Sequence, residues 1–260
     1  MYPYEIVFGM NLYDIFLSVG VVSALVIVRL LADYDKVSAK LFNFILLTGA
    51  CAIALGYGSA VLFQAIYNWL DGEPFEINTS TGATFLGGLV GGVLVFLTIY
   101  FLIGHFVFKD KQNLRYFPRL LDVAAVCITS AHGFGRLGCL MAGCCHGAQT
   151  DAWYGIYHIA QDAKVVPIQL FESCFLFILS AILAVLVYRR ISGTMAIYMS
   201  AYGIWRFVIE YFRVDYRGST FVDFLTPSQL TALILLAGSG LVFFYSYKMS
   251  KRREVEYESR

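Results

Sequence analysis

Residues 41–70 read LFNFILLTGACAIALGYGSAVLFQAIYNWL, with no Asp, Glu, Lys or Arg. Crossing a bilayer as a helix takes about 20 consecutive apolar residues, because only a helix satisfies every backbone group inside the segment. This stretch is long enough, and residues 77–108 and 224–247 are two more charge-free runs of the same kind. Four shorter runs, 15–28, 123–135, 173–188 and 191–205, reach spanning length only if flanking charged residues enter the membrane region. The reading is an all-α polytopic integral membrane protein of seven transmembrane helices, near 9–31, 42–69, 83–107, 120–140, 168–188, 194–213 and 227–247.

Composition agrees. Of 260 residues 59% are hydrophobic and 14% charged, against roughly 45–50% and about 25% in an ordinary soluble domain. A net charge of +1 gives no field to gather a polyanion, so nucleic-acid binding is not expected. Residues 1–260 form a single membrane domain in this reading, with a segment 141–167 between spans four and five and a basic tail 248–260.

Lys and Arg set the expected orientation. With seven spans, one side carries Arg29, Lys36, Lys40, Lys109, Lys111, Arg115, Arg119, Arg189, Arg190, Lys248, Lys251, Arg252, Arg253 and Arg260. The other carries only Arg136, Lys164, Arg213 and Arg217, while Arg206 falls within a span. Positive charge favours the cytoplasm, so the N-terminus faces out and the C-terminus in. Residues 1–11 lack a basic stretch and a cleavage site, so no cleaved signal peptide is expected. The tail after Tyr247 would anchor at the anionic cytoplasmic leaflet.

Ionisable groups inside spans are expensive and are functional candidates by default. Asp14, Arg136, Gln169, Glu172, Arg206, Glu210 and Arg213 all fall in the outer halves of their spans in this reading. Tyr202, Arg206 and Glu210 are four residues apart and share a helix face; Gln169 and Glu172, three apart, share another. Salt-bridge glue is one reading. A polar cavity opening outward is the other, with two guanidinium forks suited to a phosphate. Gly87, Gly88, Gly91 and Gly92 make overlapping G-x-x-x-G pairs, which permit close helix approach or leave room for a lipid headgroup. Polar residues in the inner halves are few, Asp122 and Asn43 among them, which argues against a solute path through the membrane.

Cys139, Cys144 and Cys145 cluster beside His146. An outward disulfide, a catalytic thiol beside His146, inert packing and a metal site stay open. No metal is expected, because adjacent side chains point in different directions around one tetrahedral ion.

Four motifs resemble the bacterial prolipoprotein diacylglyceryl transferase family. His132-Gly-Phe-Gly-Arg136-Leu-Gly138, running on to Gly147, resembles its signature. Phe85-Leu-Gly-Gly-Leu-Val-Gly-Gly92 resembles its histidine-glycine-glycine stretch. Pro167-Ile-Gln169-Leu-Phe-Glu172 resembles its proline-x-glutamine-leucine-tyrosine-glutamate motif. Tyr202-Gly-Ile-Trp-Arg206-Phe-Val-Ile-Glu210-Tyr-Phe-Arg213 resembles its tyrosine-arginine-glutamate-arginine helix. They stand in the family's order. The departures are Leu86 for the family histidine, Cys139 and Ala142 for signature asparagines, and Cys144 for the signature glutamate.

The resemblance implies transfer of diacylglyceryl from phosphatidylglycerol to the thiol of a lipobox cysteine in a prolipoprotein, at the bacterial inner membrane, with the site open to the outer side. The thiol attacks a glycerol carbon and glycerol phosphate leaves. Arg136 and Arg206 would balance the leaving phosphate and Glu210 would orient Arg206. His146 would serve as base or as partner of Cys144, in place of the missing histidine. Tyr13, Gly87, Gly88, Cys139, Cys145, Gly147, Gln169, Glu172, Tyr202 and Arg213 would line the substrates. No cofactor is implied. Other readings are lipid chemistry on another acceptor using Cys144, Cys145 and His146, a non-enzymatic lipid carrier, and a thiol–disulfide membrane protein.

Overall fold

The computed structural model describes residues 2, 4–7, 9–78, 80–214 and 225–258. A short antiparallel pair, β1 (Glu5–Val7) and β2 (Met10–Asn11), leads into α1 (Leu12–Tyr34). Then follow α2 (Ala39–Leu70) and α3 (Phe85–Thr98), the latter prolonged by a π-helical turn (Ile99–Ile103) and a last α-helical turn (Gly104–Val107). α4 (Gln112–Ala142) is joined to α5 (Ile168–Tyr188) by the hairpin β3 (Ile156–His158) and β4 (Ala163–Val165). α6 (Thr194–Ile209) and α7 (Pro227–Glu258) complete the chain.

Six of these helices are long and apolar enough to cross a membrane: Leu12–Tyr34, Ala39–Leu70, Leu86–Val107, Gln112–Ala142, Ile168–Tyr188 and Pro227–Met249. Large apolar side chains such as Leu30, Leu47, Ile53, Leu94 and Leu241 stand exposed on them, as lipid-facing residues must. The protein is a polytopic membrane protein. The expected seventh span is a helix, but α6 has 16 residues and falls short of the roughly 20 that a perpendicular crossing takes. It gives way to a 3-10 turn at Glu210–Phe212, where Arg206, Glu210 and Arg213 crowd the chain with charge. α7 runs on through 248–258, so the described part of the basic tail is helical. Arg217 and Arg260, both used in the charge count, lie outside the described residues.

The chain divides into two compact units, residues 32–117 and residues 1–31 with 118–260. In the first, α2 and α3 pack through the glycine pairs. Gly56 lies where a Cβ would meet Gly88 O and Gly92 Cα at 3.1 Å, and Gly91 where one would meet Ser59 Cβ at 2.3 Å. The Ser59 hydroxyl donates to Gly87 O at 2.9 Å. The glycines thus serve a helix crossing in which backbone meets backbone. Beyond it, Tyr100 is fully buried among Phe44, Phe96, Phe101 and Phe117, and its hydroxyl donates to Asn113 O at 2.8 Å. Gly91→Leu is expected to destabilise the protein by about 1–3 kcal/mol, the usual range for overpacking. A lowered midpoint in denaturant titration of the detergent-solubilised protein checks it; an unchanged midpoint would mean that α2 and α3 do not meet there.

The second unit is centred on Val123, Ala125 and Val126 of α4 against Leu179, Leu183 and Val187 of α5. Gly133 lets the two helices close up, since a Cβ there would lie 2.8 Å from the Phe177 ring, and the Ser173 hydroxyl donates to Gly133 O at 3.0 Å. Asp122, an apparent inner-leaflet charge, caps α6: its carboxylate accepts from the backbone N–H groups of Gly193 and Thr194 at 3.0 and 2.9 Å. Orphan donors at a helix N-terminus favour such a carboxylate. Asp14 has a similar task at α1. It accepts from Asn11 N at 3.1 Å while its own N–H donates to Asn11 Oδ1 at 3.2 Å, a reciprocal cap. Both charges are therefore accounted for by helix ends.

Candidate active site

One end of α4, α5 and α6 brings the sequence-predicted charges together. Arg136 of α4 places Nε 3.0 Å from Glu172 Oε2 of α5. The Tyr202 hydroxyl of α6 donates to Glu172 Oε1 at 2.9 Å, and the His132 ring, one turn before Arg136, packs edge-on against Tyr202 at 4.9 Å. Both Arg136 and Arg206 act electrostatically on Glu172. Arg206 Nη2 pairs with Glu210 Oε2 at 2.9 Å, and Arg213 Nε lies 3.9 Å from that same oxygen. Gln169 and Glu172 have no exposed surface, and Arg206, Tyr202 and Glu210 are buried too.

Two further partners come from the start of α7. Arg206 Nη2 donates to Ser228 Oγ at 2.6 Å, and the Thr226 hydroxyl donates to Glu210 Oε1 at 3.0 Å. Sequence reasoning missed both, although a signal was there. Thr226-Pro-Ser-Gln229 is a capping box, with Gln229 N donating to Thr226 Oγ1 and Thr226 N donating to Gln229 Oε1. Pro227 takes the first helical position, where a missing N–H does no harm.

The network is not closed on itself. Arg206 Nη1 is buried without a hydrogen-bond partner among the described residues. Arg136 Nε and Glu172 Oε2 lie within ion-pair distance but are not aligned as a hydrogen bond. A buried guanidinium donor left unmatched is costly, and a bidentate anion is what such a fork accepts best.

The cysteines lie beside this network. α4 ends in a Schellman motif, with Gly143 left-handed at φ 75°. Cys144 N donates to Cys139 O at 3.2 Å and Gly143 N to Leu140 O at 3.3 Å, the 6→1 and 5→2 bonds of that motif. The motif brings residues 139 and 144 face to face, and Cys145, also left-handed at φ 66°, turns its sulfur back onto them. The three Sγ atoms lie within 4.8 Å of one another. They converge, where divergence was expected of adjacent side chains. None of the six cysteines is in a disulfide. Cys145 is drawn toward thiolate by hydrogen bonds from the Cys139 and Cys144 thiols and by Arg213, while Cys139 and Cys145 push Cys144 up. The Gln169 side-chain amide donates to Cys144 O, which fixes the turn to α5.

His146 stands apart from the thiols. Its Nδ1 lies 2.8 Å from Gly147 O and its Nε2 3.0 Å from Gln161 Nε2, and no described hydrogen bond joins it to Cys144. His158, which carried no signal in the sequence, packs on it at 4.5 Å and holds Gly143 O at 2.7 Å through Nε2. Gly147 forms a β-bridge with Arg213 and its N–H donates to Val166 O at 2.9 Å; a Cβ there would meet Phe212 O at 2.9 Å. Tyr13 lies against Gly138, where a Cβ would be 3.1 Å from its ring. Gly87 and Gly88 belong to the α2–α3 crossing of the other unit.

The sequence as a whole matches the prolipoprotein diacylglyceryl transferase family over residues 4–245. The chain belongs to that family. It is 31% identical over 264 residues to phosphatidylglycerol–prolipoprotein diacylglyceryl transferase 2 of Clostridium perfringens, covering 95% of this chain and 96% of that one. The transferase of Clostridium tetani is 27% identical over 91% of this chain and 94% of its own. That of Dehalococcoides mccartyi is 30% identical over 93% and 91%. This chain is thus a multi-pass membrane transferase of the prolipoprotein diacylglyceryl transferase family, and Arg136, Glu172, Tyr202, Arg206, Glu210 and Arg213 form a buried charge network in it.

Proposed function

We propose that this protein transfers a diacylglyceryl group from phosphatidylglycerol to the cysteine thiol of a lipobox-containing prolipoprotein, at the outer face of the bacterial inner membrane. The observation that carries the reading is the buried guanidinium pair from two helices, Arg136 on Glu172 and Arg206 on Glu210, both acting electrostatically on Glu172, with Arg206 Nη1 unmatched among the described residues. The donor's phosphodiester would fill that gap. The acceptor sulfur attacks the glycerol carbon next to the phosphate, the C–O bond breaks, and glycerol phosphate leaves with the bonding electrons. A departing phosphate needs positive charge more than a proton, and fixed donors in a water-poor site supply it without reorganisation. Glu210, braced by Thr226, orients Arg206.

A lipidated-enzyme intermediate on Cys144 or Cys145 is disfavoured by the chemistry. Alkyl transfer to either sulfur makes a thioether, and an alkyl thiolate is a poor leaving group, so the adduct would be terminal. The acceptor thiol therefore reacts directly.

The test is incubation of the purified protein with phosphatidylglycerol vesicles and a lipobox peptide, read by mass spectrometry. A peptide heavier by one diacylglyceryl group, absent with phosphatidylethanolamine vesicles or a Cys→Ser peptide, is expected. Absence of the adduct with phosphatidylglycerol refutes the reading.

A further inference from the structure

The proposed reaction leaves one requirement unassigned. A cysteine thiol titrates at about 8.5 and is only a few per cent thiolate at neutral pH, so the acceptor has to be ionised. The described titratable groups around the arginine pair are committed: Glu172 and Glu210 to guanidinium groups, Tyr202 to Glu172, and the His132 ring packed edge-on against Tyr202 between the two arginines' helices. The rings of His146 and His158 are held by Gly147, Gln161 and Gly143.

The three-cysteine cluster answers the requirement in another way. We infer that Cys139, Cys144 and Cys145 bind a thiophilic divalent cation of the zinc class and that its fourth position takes the acceptor thiol. The inference rests on the transferase reading above and deepens it.

Geometry supports it first. Zinc–thiolate bonds of about 2.3 Å in a tetrahedron place sulfurs ~3.8 Å apart, and these three already lie within 4.8 Å. A contraction of ~1 Å, within reach of side-chain rotation, completes the site. The backbone enforces the convergence through the Schellman bonds at 139–144 and the left-handed φ of 66° at Cys145. A non-glycine residue held in that region marks a conformation its surroundings impose.

Stoichiometry supports it next. Among the described residues no fourth Cys, His, Asp or Glu joins the group. Three protein ligands and one open position are the pattern of catalytic rather than structural zinc. Cys144 is exposed and its two partners half-buried, so an incoming thiol can reach the ion. Cys139 lies one helical turn from Arg136, and Cys145 faces Arg213, which puts the sulfur to be activated beside the phosphate to be displaced.

A metal-bound thiol is deprotonated outright, its proton going to water. Three cysteine thiolates plus the acceptor give the ion a surplus of negative charge, which keeps the bound sulfur nucleophilic. Its lone pair forms the C–S bond as the C–O bond to phosphate breaks. The thioether product carries no charge, binds weakly and yields to water.

The full-length protein in phosphatidylglycerol nanodiscs, reconstituted with zinc and washed, is expected to hold about one zinc per chain by mass spectrometry of the metal. Cys139→Ser, Cys144→Ser and Cys145→Ser should each lower zinc affinity at least about tenfold, with helix content and elution volume as controls for folding. With cobalt in place of zinc, a lipobox peptide should raise the sulfur-to-cobalt charge-transfer absorption by about a third, from three thiolates to four, and its Cys→Ser version should not.

Failure of the wild type to retain metal, or an absorption that ignores the peptide, overturns the inference. So does full transfer activity in chelator-treated, metal-free wild-type protein, which would leave the transferase reading standing. Zinc and peptide bound as expected, with no diacylglyceryl adduct, would uphold the site and refute the transferase reading instead.

Discussion

Replacing Arg206 with alanine is expected to lower the rate of diacylglyceryl transfer by about 10²–10³-fold, the loss that follows removal of one preorganised donor to a developing anion. Three facts set that size. Arg206 is buried, it is anchored by Glu210 at 2.9 Å and Ser228 at 2.6 Å, and its Nη1 has no partner among the described residues. Its fork is therefore held in place before any ligand arrives, and little of its binding energy goes into ordering it. The conservative change tells charge from geometry. Arg206→Lys keeps the charge but loses the planar fork that binds phosphate bidentately. It should recover part of the lost rate, and Arg206→Gln almost none. Initial rates from quantitative mass spectrometry of the peptide product provide the comparison. Equal activity of wild type and Arg206→Ala would remove Arg206 from the mechanism.

Glu172→Ala should have the largest effect on stability, about 3–5 kcal/mol, the usual result of removing one partner of a buried ion pair. Glu172 is wholly buried and holds Arg136 at 3.0 Å on one oxygen and the Tyr202 hydroxyl at 2.9 Å on the other. Deleting it leaves a guanidinium group without its counter-charge and a phenol without its acceptor at the junction of α4, α5 and α6. Glu172→Gln keeps an acceptor for Tyr202 but loses the charge, so it should fall between wild type and Glu172→Ala. Denaturant midpoints for the three proteins in one detergent check the ranking. If Glu172→Ala matched wild type, the three helices would not be joined through that carboxylate.

Much of this site was legible in the sequence because membranes make charge conspicuous. A carboxylate or guanidinium within an apolar run is rare enough to be noticed, and the four-residue spacing of Tyr202, Arg206 and Glu210 gave their shared face. The same logic singled out Asp14 as a candidate, and Asp122 stood out among the few polar residues of the inner halves. Each is a charge inside a span, yet each caps a helix, Asp122 the start of α6, far off in sequence. Spacing within one helix cannot reveal a cap supplied by another. The seventh span was legible as a helix but not in its length, because the 3-10 turn at Glu210–Phe212 follows from the charges it serves. The hairpin at 156–165 had no clear periodicity in so short a run. The cysteine cluster was misjudged by treating Cys144 and Cys145 as neighbours on a regular chain. Gly143 was the signal: a glycine just past a helix end implies the left-handed turn that folds the next residue back onto the last turn.

In the proposed reaction Arg136 and Arg206 together grip the phosphate of the donor lipid. The most direct test is an experimental structure of the protein bound to a phosphonate analogue of phosphatidylglycerol, which cannot be turned over at the C–O bond that breaks. We expect the phosphonate oxygens within hydrogen-bond distance of both guanidinium groups, one of them on Arg206 Nη1. A headgroup found elsewhere, with Arg206 Nη1 still unmatched, would contradict the account.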